Sequence, residues 1–232
     1  SEPSKSDKTE TYNGSSWTEV NEMNTARAQM APAIRAPYTA ALIAGGEEPS
    51  ISNKVESWDG SSWTEITEIN TARRIAGGAG ITTSMLVFGG YVGPPAGPPG
   101  TTNNTESWNG SAWTEVNEMN SARYTLCGAG ATNTAALAFG GSAPPYAALT
   151  EEWDGTNWTE KSDLNTGRDE GMSAGIYNAA LAIGGLASGA PYITKTENWD
   201  GSSWTEISDL ATGRAQGLSS AGTNTAAFVA GG

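Results

Sequence analysis

The chain has 232 residues, 30 of them glycine, with 12 lysines and arginines against 25 aspartates and glutamates and a formal net charge of −13. That balance excludes a basic footprint for nucleic acid, which needs clustered Lys and Arg on the phosphates, and disfavours an anionic membrane surface for the same reason. The absence of histidine removes imidazole metal sites and both Ser-His-Asp and Cys-His catalysis, and no metal or cofactor is expected.

Three further features bound the class. The single cysteine, Cys127, lies among Leu126, Gly128 and Ala129 and reads as a buried small side chain, not a reactive thiol. The polar start, Ser1 to Glu10, lacks the apolar core of a signal peptide, and no apolar run approaches the roughly 20 residues of a spanning helix, so membrane insertion is not expected. Short apolar runs bounded by Gly, Pro, Asn and Asp recur throughout, with no helical periodicity, which predicts an all-β fold.

In chain order, residues 8–20 come first: a short strand ending at Tyr12, a turn at Asn13-Gly14, and a strand starting at Trp17. Arg27 then opens a unit that recurs to the end. Its first strand is made of small residues, as in Ala76-Gly77-Gly78-Ala79-Gly80; its second is apolar, as in Met85-Leu86-Val87-Phe88, and stops at a Gly-Gly pair. A variable loop leads to a third strand, Lys54 to Trp58 in the first copy, then an Asp-Gly turn and a fourth strand, Trp63 to Ile66. The turns at Asn13-Gly14, Asp59-Gly60, Asn109-Gly110, Asp154-Gly155 and Asp200-Gly201 read as type I′ hairpins, since both residues of each pair tolerate positive φ. The first copy carries Pro32, Arg35 and Pro37 where the others have Gly-Ala-Gly, so its first strand is expected to be irregular.

The spacing of the repeat is regular. The aromatic residue before each turn sits at Tyr12, Trp58, Trp108, Trp153 and Trp199, at intervals of 46, 50, 45 and 46 residues. Trp17, Trp63, Trp113, Trp158 and Trp204 follow five residues later, and Arg27, Arg73, Arg123, Arg168 and Arg214 ten after those. Glycine pairs at 45–46, 89–90, 140–141, 184–185 and 231–232 end the apolar runs. A period of about 40–50 residues with four short strands per unit is the signature of a β-propeller. Units at 27–67, 73–117, 123–161 and 168–208 are complete. The remaining pieces, 214–232 and 8–20, predict a composite fifth blade whose pairing closes the ring and removes the open strand edges.

The order of apolar run, Gly-Gly, loop, aromatic, short turn, Trp and Arg, present in all five units, resembles the kelch repeat. Trp-Asp dipeptides at Trp58, Trp153 and Trp199 bring WD40 repeats into view, but those usually carry a Gly-His pair, and this chain has no histidine. The resemblance implies a single domain, 1–232: a five-bladed β-propeller of four-stranded antiparallel blades closed by its two ends. The Asn/Asp-Gly-Ser-x-Trp-Thr-Glu wording is also similar, more weakly, to kelch-type repeats of phage and marine-virus structural proteins. That likeness points to an extracellular or virion surface.

Enzyme function is not expected. Glycosidases of the five-bladed class place carboxylates on the inner strands, and hydrolysis needs two across the scissile bond; here only Asp169 and Glu170 lie there, adjacent in one strand and so directed to opposite sides. The paired aromatics, such as Trp58 and Trp63, read as packing between blades, not as a sugar platform. The glutamates of the Trp-Thr-Glu triplets (Glu19, Glu65, Glu115, Glu160, Glu206) and the five arginines read mainly as structural ion pairs or solvated loop ends, although a charged ring of Arg27, Arg73, Arg123, Arg168 and Arg214 is also a candidate binding feature. Asn-x-Ser/Thr triplets at Asn13, Asn103, Asn109 and Asn157 are taken as incidental.

The other candidates are Tyr91, Tyr146 and Tyr192, one in each of three unlike loops that follow a Gly-Gly pair. Variable loops on a rigid frame are where recognition usually sits, and tyrosine supplies stiff contact area with a polar tip. The expected function is a non-catalytic recognition module for a protein or carbohydrate ligand. Alternatives are a multivalent lectin with one pocket per blade and a structural or assembly domain.

Overall fold

The computed structural model describes residues 5–94, 100–143, 146–190, 192–215 and 219–231. They form twenty short β-strands and no helix, in four four-stranded and two two-stranded antiparallel sheets. The first complete sheet is β3 (Ala31–Pro32), β4 (Ala41–Ala44), β5 (Val55–Trp58) and β6 (Trp63–Ile66). The second is β7 (Gly77–Ile81), β8 (Ser84–Phe88), β9 (Thr105–Trp108) and β10 (Trp113–Val116), and the third β11 (Cys127–Thr132), β12 (Ala135–Phe139), β13 (Thr150–Trp153) and β14 (Trp158–Glu160). The fourth is β15 (Met172–Ile176), β16 (Ala179–Ile183), β17 (Thr196–Trp199) and β18 (Trp204–Glu206). Hairpins β1 (Thr9–Tyr12) with β2 (Trp17–Val20), and β19 (Ser219–Gly222) with β20 (Ala227–Ala230), stand at the two ends. The repeated sheets make a propeller-like fold.

Each sheet is a meander in one register. The second strand meets the third with Ala41 opposite Trp58, Met85 opposite Trp108, Ala136 opposite Trp153 and Ala180 opposite Trp199. The second strands read as unbroken apolar runs because both their faces are covered by neighbouring sheets. In β12, Ala136 and Ala138 face Leu86 and Phe88 of the preceding sheet, while Leu137 and Phe139 face Ala180 and Ala182 of the following one. Large side chains thus interlock with small ones at successive interfaces. The tryptophans of the fourth strands seal the joints: Phe88 meets Trp158 edge-on at 5.0 Å between ring centres, and Phe139 meets Trp204 at 4.8 Å.

The first strands lie side by side, in the order β3, β7, β11, β15, β19. Their backbones approach so closely that a Cβ on Gly128 would sit 2.3 Å from the Gly78 carbonyl oxygen, and one on Gly78 would sit 2.4 Å from that of Pro32. β3 is reduced to two residues, Ala31 and Pro32, as the prolines imply. A cavity of about 430 Å³ opens among these strands, bordered by Pro32, Gly78, Gly128, Gly171, Ala221 and Phe228 among others.

Two expectations need correction. The turns are not type I′: in Asp59–Ser62 only Gly60 has positive φ (96°), at the first central position of the turn, as in type II′. The Asp59 carboxylate instead accepts the N–H groups of Ser61 and Ser62, which holds it down to a pKa of about 2. The composite fifth sheet is present as two separate hairpins, and no ladder joins β20 to β1 among the described residues. The β1–β2 hairpin is held against the first sheet's unit through Arg27 N–H to Ser6 O and Trp63 Nε1 to Thr9 Oγ1 at 2.8 Å.

Gly128→Ala drives a methyl group into the neighbouring backbone, which cannot rotate away. Overpacking of this kind costs about 1–3 kcal/mol, so Gly128→Ala should lower the thermal midpoint by several degrees in a calorimetric scan while leaving the far-ultraviolet spectrum unchanged.

Candidate functional site

Four of the five repeated arginines lie inside the sheets. Arg27, Arg73, Arg123 and Arg168 are almost fully buried. One nitrogen, Nη1, donates to two carbonyls of its own sheet: Gly45 and Lys54, Gly89 and Asn104, Gly140 and Leu149, or Gly184 and Lys195. The other, Nη2, meets the carboxylate of a third-strand glutamate. Arg27 pairs with Glu56 at 2.7 Å, Arg73 with Glu106 and Arg123 with Glu151 at 2.8 Å, and Arg168 with Glu197. The second carboxylate oxygen accepts the backbone N–H and Nδ2 of Asn24, Asn70, Asn120 or Asn165. Burial pulls the Arg73 and Arg123 guanidiniums below their ordinary value, and their glutamates push back.

Of the two readings of the Trp-Thr-Glu acids, ion pairs with these arginines or solvated ends, the structure has the second: all five are exposed. The true partners sit two residues before each third-strand tryptophan. Their signal was a Glu recurring at 10, 56, 106, 151 and 197 together with an Asn three residues before Arg in four units. Arg214 differs: Nη1 donates to Gly231 O at 3.0 Å, but no carboxylate lies within ion-pair distance among the described residues.

The arginine backbones organise the loop face. Gly46, Gly90, Gly141 and Gly185 donate N–H to the carbonyls of Arg73, Arg123, Arg168 and Arg214 in the next unit. The residue after each of the first four arginines bridges to the residue after the Gly-Gly pair of its own unit: Ala28 to Glu47, Arg74 to Tyr91, Tyr124 to Ser142, Asp169 to Leu186. The next residue, Gln29, Ile75, Thr125 or Glu170, has φ of 61°, 48°, 52° or 50°. Such left-handed geometry is strained outside glycine, most of all for β-branched Ile75 and Thr125. These residues form a backbone relay between units, Ile75 N–H to Gln29 O, Thr125 N–H to Ile75 O and Glu170 N–H to Thr125 O.

The side chains on this face are unlike one another. Arg74 donates to Glu47 Oε2 at 2.7 Å and Gln29 Oε1 at 2.8 Å, and lies 4.9 Å over the Tyr91 ring, which meets Tyr124 edge-on. Tyr146 and Tyr192 are exposed in the next two loops. Tyr91 is therefore tied into a polar cluster, whereas among the described residues no ring contact is made by Tyr146 or Tyr192. Tyr38, also exposed, sits at the other end, between first and second strands.

Asp169 and Glu170 precede β15 and do not lie within it, and the left-handed Glu170 breaks the strand alternation that was to send them to opposite sides. Partial burial and the Glu170 charge raise Asp169 to about 6. Cys127 is buried, and burial pushes its thiol up to about 12. Among the described residues no group of three or more acidic or sulfur side chains is placed to hold a metal.

Two outcomes follow. Glu151→Gln leaves the buried Arg123 without its counter-charge and should lower unfolding stability by about 3–5 kcal/mol in urea titration. Asp169 has a folded pKa of about 6 against an ordinary 3.8. The folded state then binds more protons between those values, so stability falls as pH rises through that window. Asp169→Asn should raise the urea midpoint at neutral pH and flatten the slope between about pH 4 and 6.

No family model matches the chain, and comparison with curated proteins finds none that is detectably similar.

Proposed function

We propose that the chain is a non-catalytic recognition module: five kelch-like blades in a ring, the fifth completed by the terminal hairpins, binding a protein or glycan through the loops that follow the Gly-Gly pairs. One observation carries this reading. The frame repeats nearly residue for residue, with its charged groups neutralised inside the sheets, whereas equivalent positions on one face hold Gln29, Ile75, Thr125 and Glu170 in strained conformations. The residues after the Gly-Gly pairs are as varied: Glu47, Tyr91, Ser142 and Leu186. A single asymmetric contact surface needs such unlike groups on a rigid support. A lectin with one pocket per blade would need like groups in each, which argues against that alternative.

The arginine ring contributes as frame, and Tyr146, Tyr192 and the Arg74–Tyr91 cluster as contact. Hydrolysis is not part of this reading, because chain neighbours such as Asp169 and Glu170 do not flank a glycosidic bond from two sides. The weak likeness to viral structural proteins supports a place in a larger surface or virion protein.

The test is a glycan array combined with crosslinking to host-surface proteins. The parent protein should bind at least one target, and Tyr91→Ser, Tyr146→Ser and Tyr192→Ser together should weaken that binding at least about tenfold, the effect of losing about 1.4 kcal/mol. Because Tyr91 stacks on Arg74, the triple variant should lose a few degrees of thermal midpoint and remain folded. Binding that survives this variant but is lost on changing Ser61, Ser62 and Ser111 would place the contact on the opposite face. Aryl glycosides should not be turned over.

A further inference from the structure

The four complete sheets serve as internal controls for the fifth. In each, a buried arginine joins the Gly-Gly carbonyl to a third-strand glutamate. By position the fifth set is Arg214, Gly231 and Glu10. Half of it is assembled, since Arg214 already donates to Gly231 O. Glu10 is exposed, two residues before Tyr12, as Glu56 stands two before Trp58. We infer that Glu10 is the carboxylate partner of Arg214, and that hairpin β1–β2 docks along the free edge of β20 with this ion pair as its lock. This rests on the five-bladed reading and names the groups that close it.

Three sets of contacts point to this occupant. The first is apolar. Phe228 is 62% exposed, whereas its counterparts Leu42, Leu86, Leu137 and Leu181 are at 6% or less; Tyr12 and Trp17 are 46% and 66% exposed, whereas Trp153 and Trp158 are at 1% and 6%. Phe228, Tyr12 and Trp17 are the exposed aromatics that stand in strands among the described residues, all in the two half-sheets, and closing the ring covers them; Tyr38, Tyr146 and Tyr192 lie in loops.

The second set is the seat of each half. Trp158 Nε1 donates to Thr105 Oγ1 and Trp204 Nε1 to Thr150 Oγ1, each in the preceding sheet. Trp63 donates to Thr9 in the same way, which seats β1–β2 in the slot preceding the first sheet. At the other end, Gly185 N–H to Arg214 O seats the last unit after the fourth sheet, by the contact that Gly141 to Arg168 makes one unit earlier. The tryptophan bond still to be made is Trp17 to Thr196.

The third is proximity within one chain. Arg35 Nη1 donates to Gly222 O at 2.7 Å, so β19–β20 and β1–β2 both border the first sheet. The docked register follows from the complete sheets: Ala227 opposite Tyr12, Phe228 opposite Thr11, Val229 opposite Glu10 and Ala230 opposite Thr9, matching Ala136 opposite Trp153 through Phe139 opposite Thr150.

The fifth clamp is also the weakest. Where the others place Asn24, Asn70, Asn120 or Asn165, it has Ala211, and so lacks the side-chain amide that donates to the glutamate. This joint is where the ring opens first.

Two measurements separate the lock from the ring. Tyr12→Cys with Ala227→Cys should form a disulfide within the monomer under mild oxidation. Absence of the disulfide, or a disulfide only between copies, overturns both the ring and the lock within one chain. Ala211→Asn should raise the thermal midpoint by about 2–4 °C, and Glu10→Gln should lower it and abolish the Ala211→Asn gain. If the disulfide forms but Ala211→Asn gives no gain, or gives the same gain without Glu10, the ring stands and the Arg214–Glu10 lock is wrong.

Discussion

The buried arginine is the interaction on which the repeated sheets depend. A guanidinium is a rigid planar fork, and here its two terminal nitrogens read three acceptors at fixed positions: the carbonyl ending the second strand, the carbonyl opening the third, and a third-strand carboxylate. The first belongs to the end of the second strand and the other two to the third, across a variable loop, and all three meet only when those strands pair in the observed register. Net stability gained from a buried ion pair is small, since desolvation offsets attraction. A one-residue slip, however, would strand both a charge and a carboxylate in the interior, so the clamp penalises wrong pairings more than it rewards the right one.

The same residue couples one unit to the next. The arginine side chain serves its own sheet, and its backbone carbonyl accepts the second glycine of the preceding unit. Strand register and blade spacing are therefore set at one point. With so few long apolar side chains in the first strands, spacing is limited by backbone contact at Gly78 and Gly128, and the interior fills by Leu and Phe seating against Ala. Trp63, Trp113, Trp158 and Trp204 then span the joints, each with its indole N–H bonded to a threonine hydroxyl or a carbonyl.

A frame so internally satisfied leaves its surface free to vary. Loops after the glycine pairs differ in length and chemistry without disturbing a hydrogen bond of the clamp, because the clamp uses only the carbonyls that bound the loop. The left-handed residues two positions after Arg27, Arg73, Arg123 and Arg168 extend this variety on the same face. Their strain is offset by the relay of backbone hydrogen bonds that holds them.

Much of the architecture was legible in residue spacing. Recurrences of aromatic, Trp, Arg and Gly-Gly, with alternating short apolar and polar runs, determine the repeat and the order of the four strands in each of the four complete sheets, because period-two patterns and glycine breaks are local properties of the chain. What tertiary structure decided was partnership. Spacing shows that Arg123 and some acid recur together, but Glu151 and Glu160 are both candidates until the sheet forms: they stand opposite each other in register, with Glu151 buried on the inner third strand and Glu160 exposed on the outer fourth. Turn geometry was likewise hidden, since Asp59 acts as an acceptor for the following N–H groups and leaves the positive φ to Gly60 alone. The left-handed set at Gln29, Ile75, Thr125 and Glu170 has no sequence signal at all, as nothing in those residue types favours positive φ. Only the hydrogen bonds from neighbouring units, made after the sheets have packed, impose it.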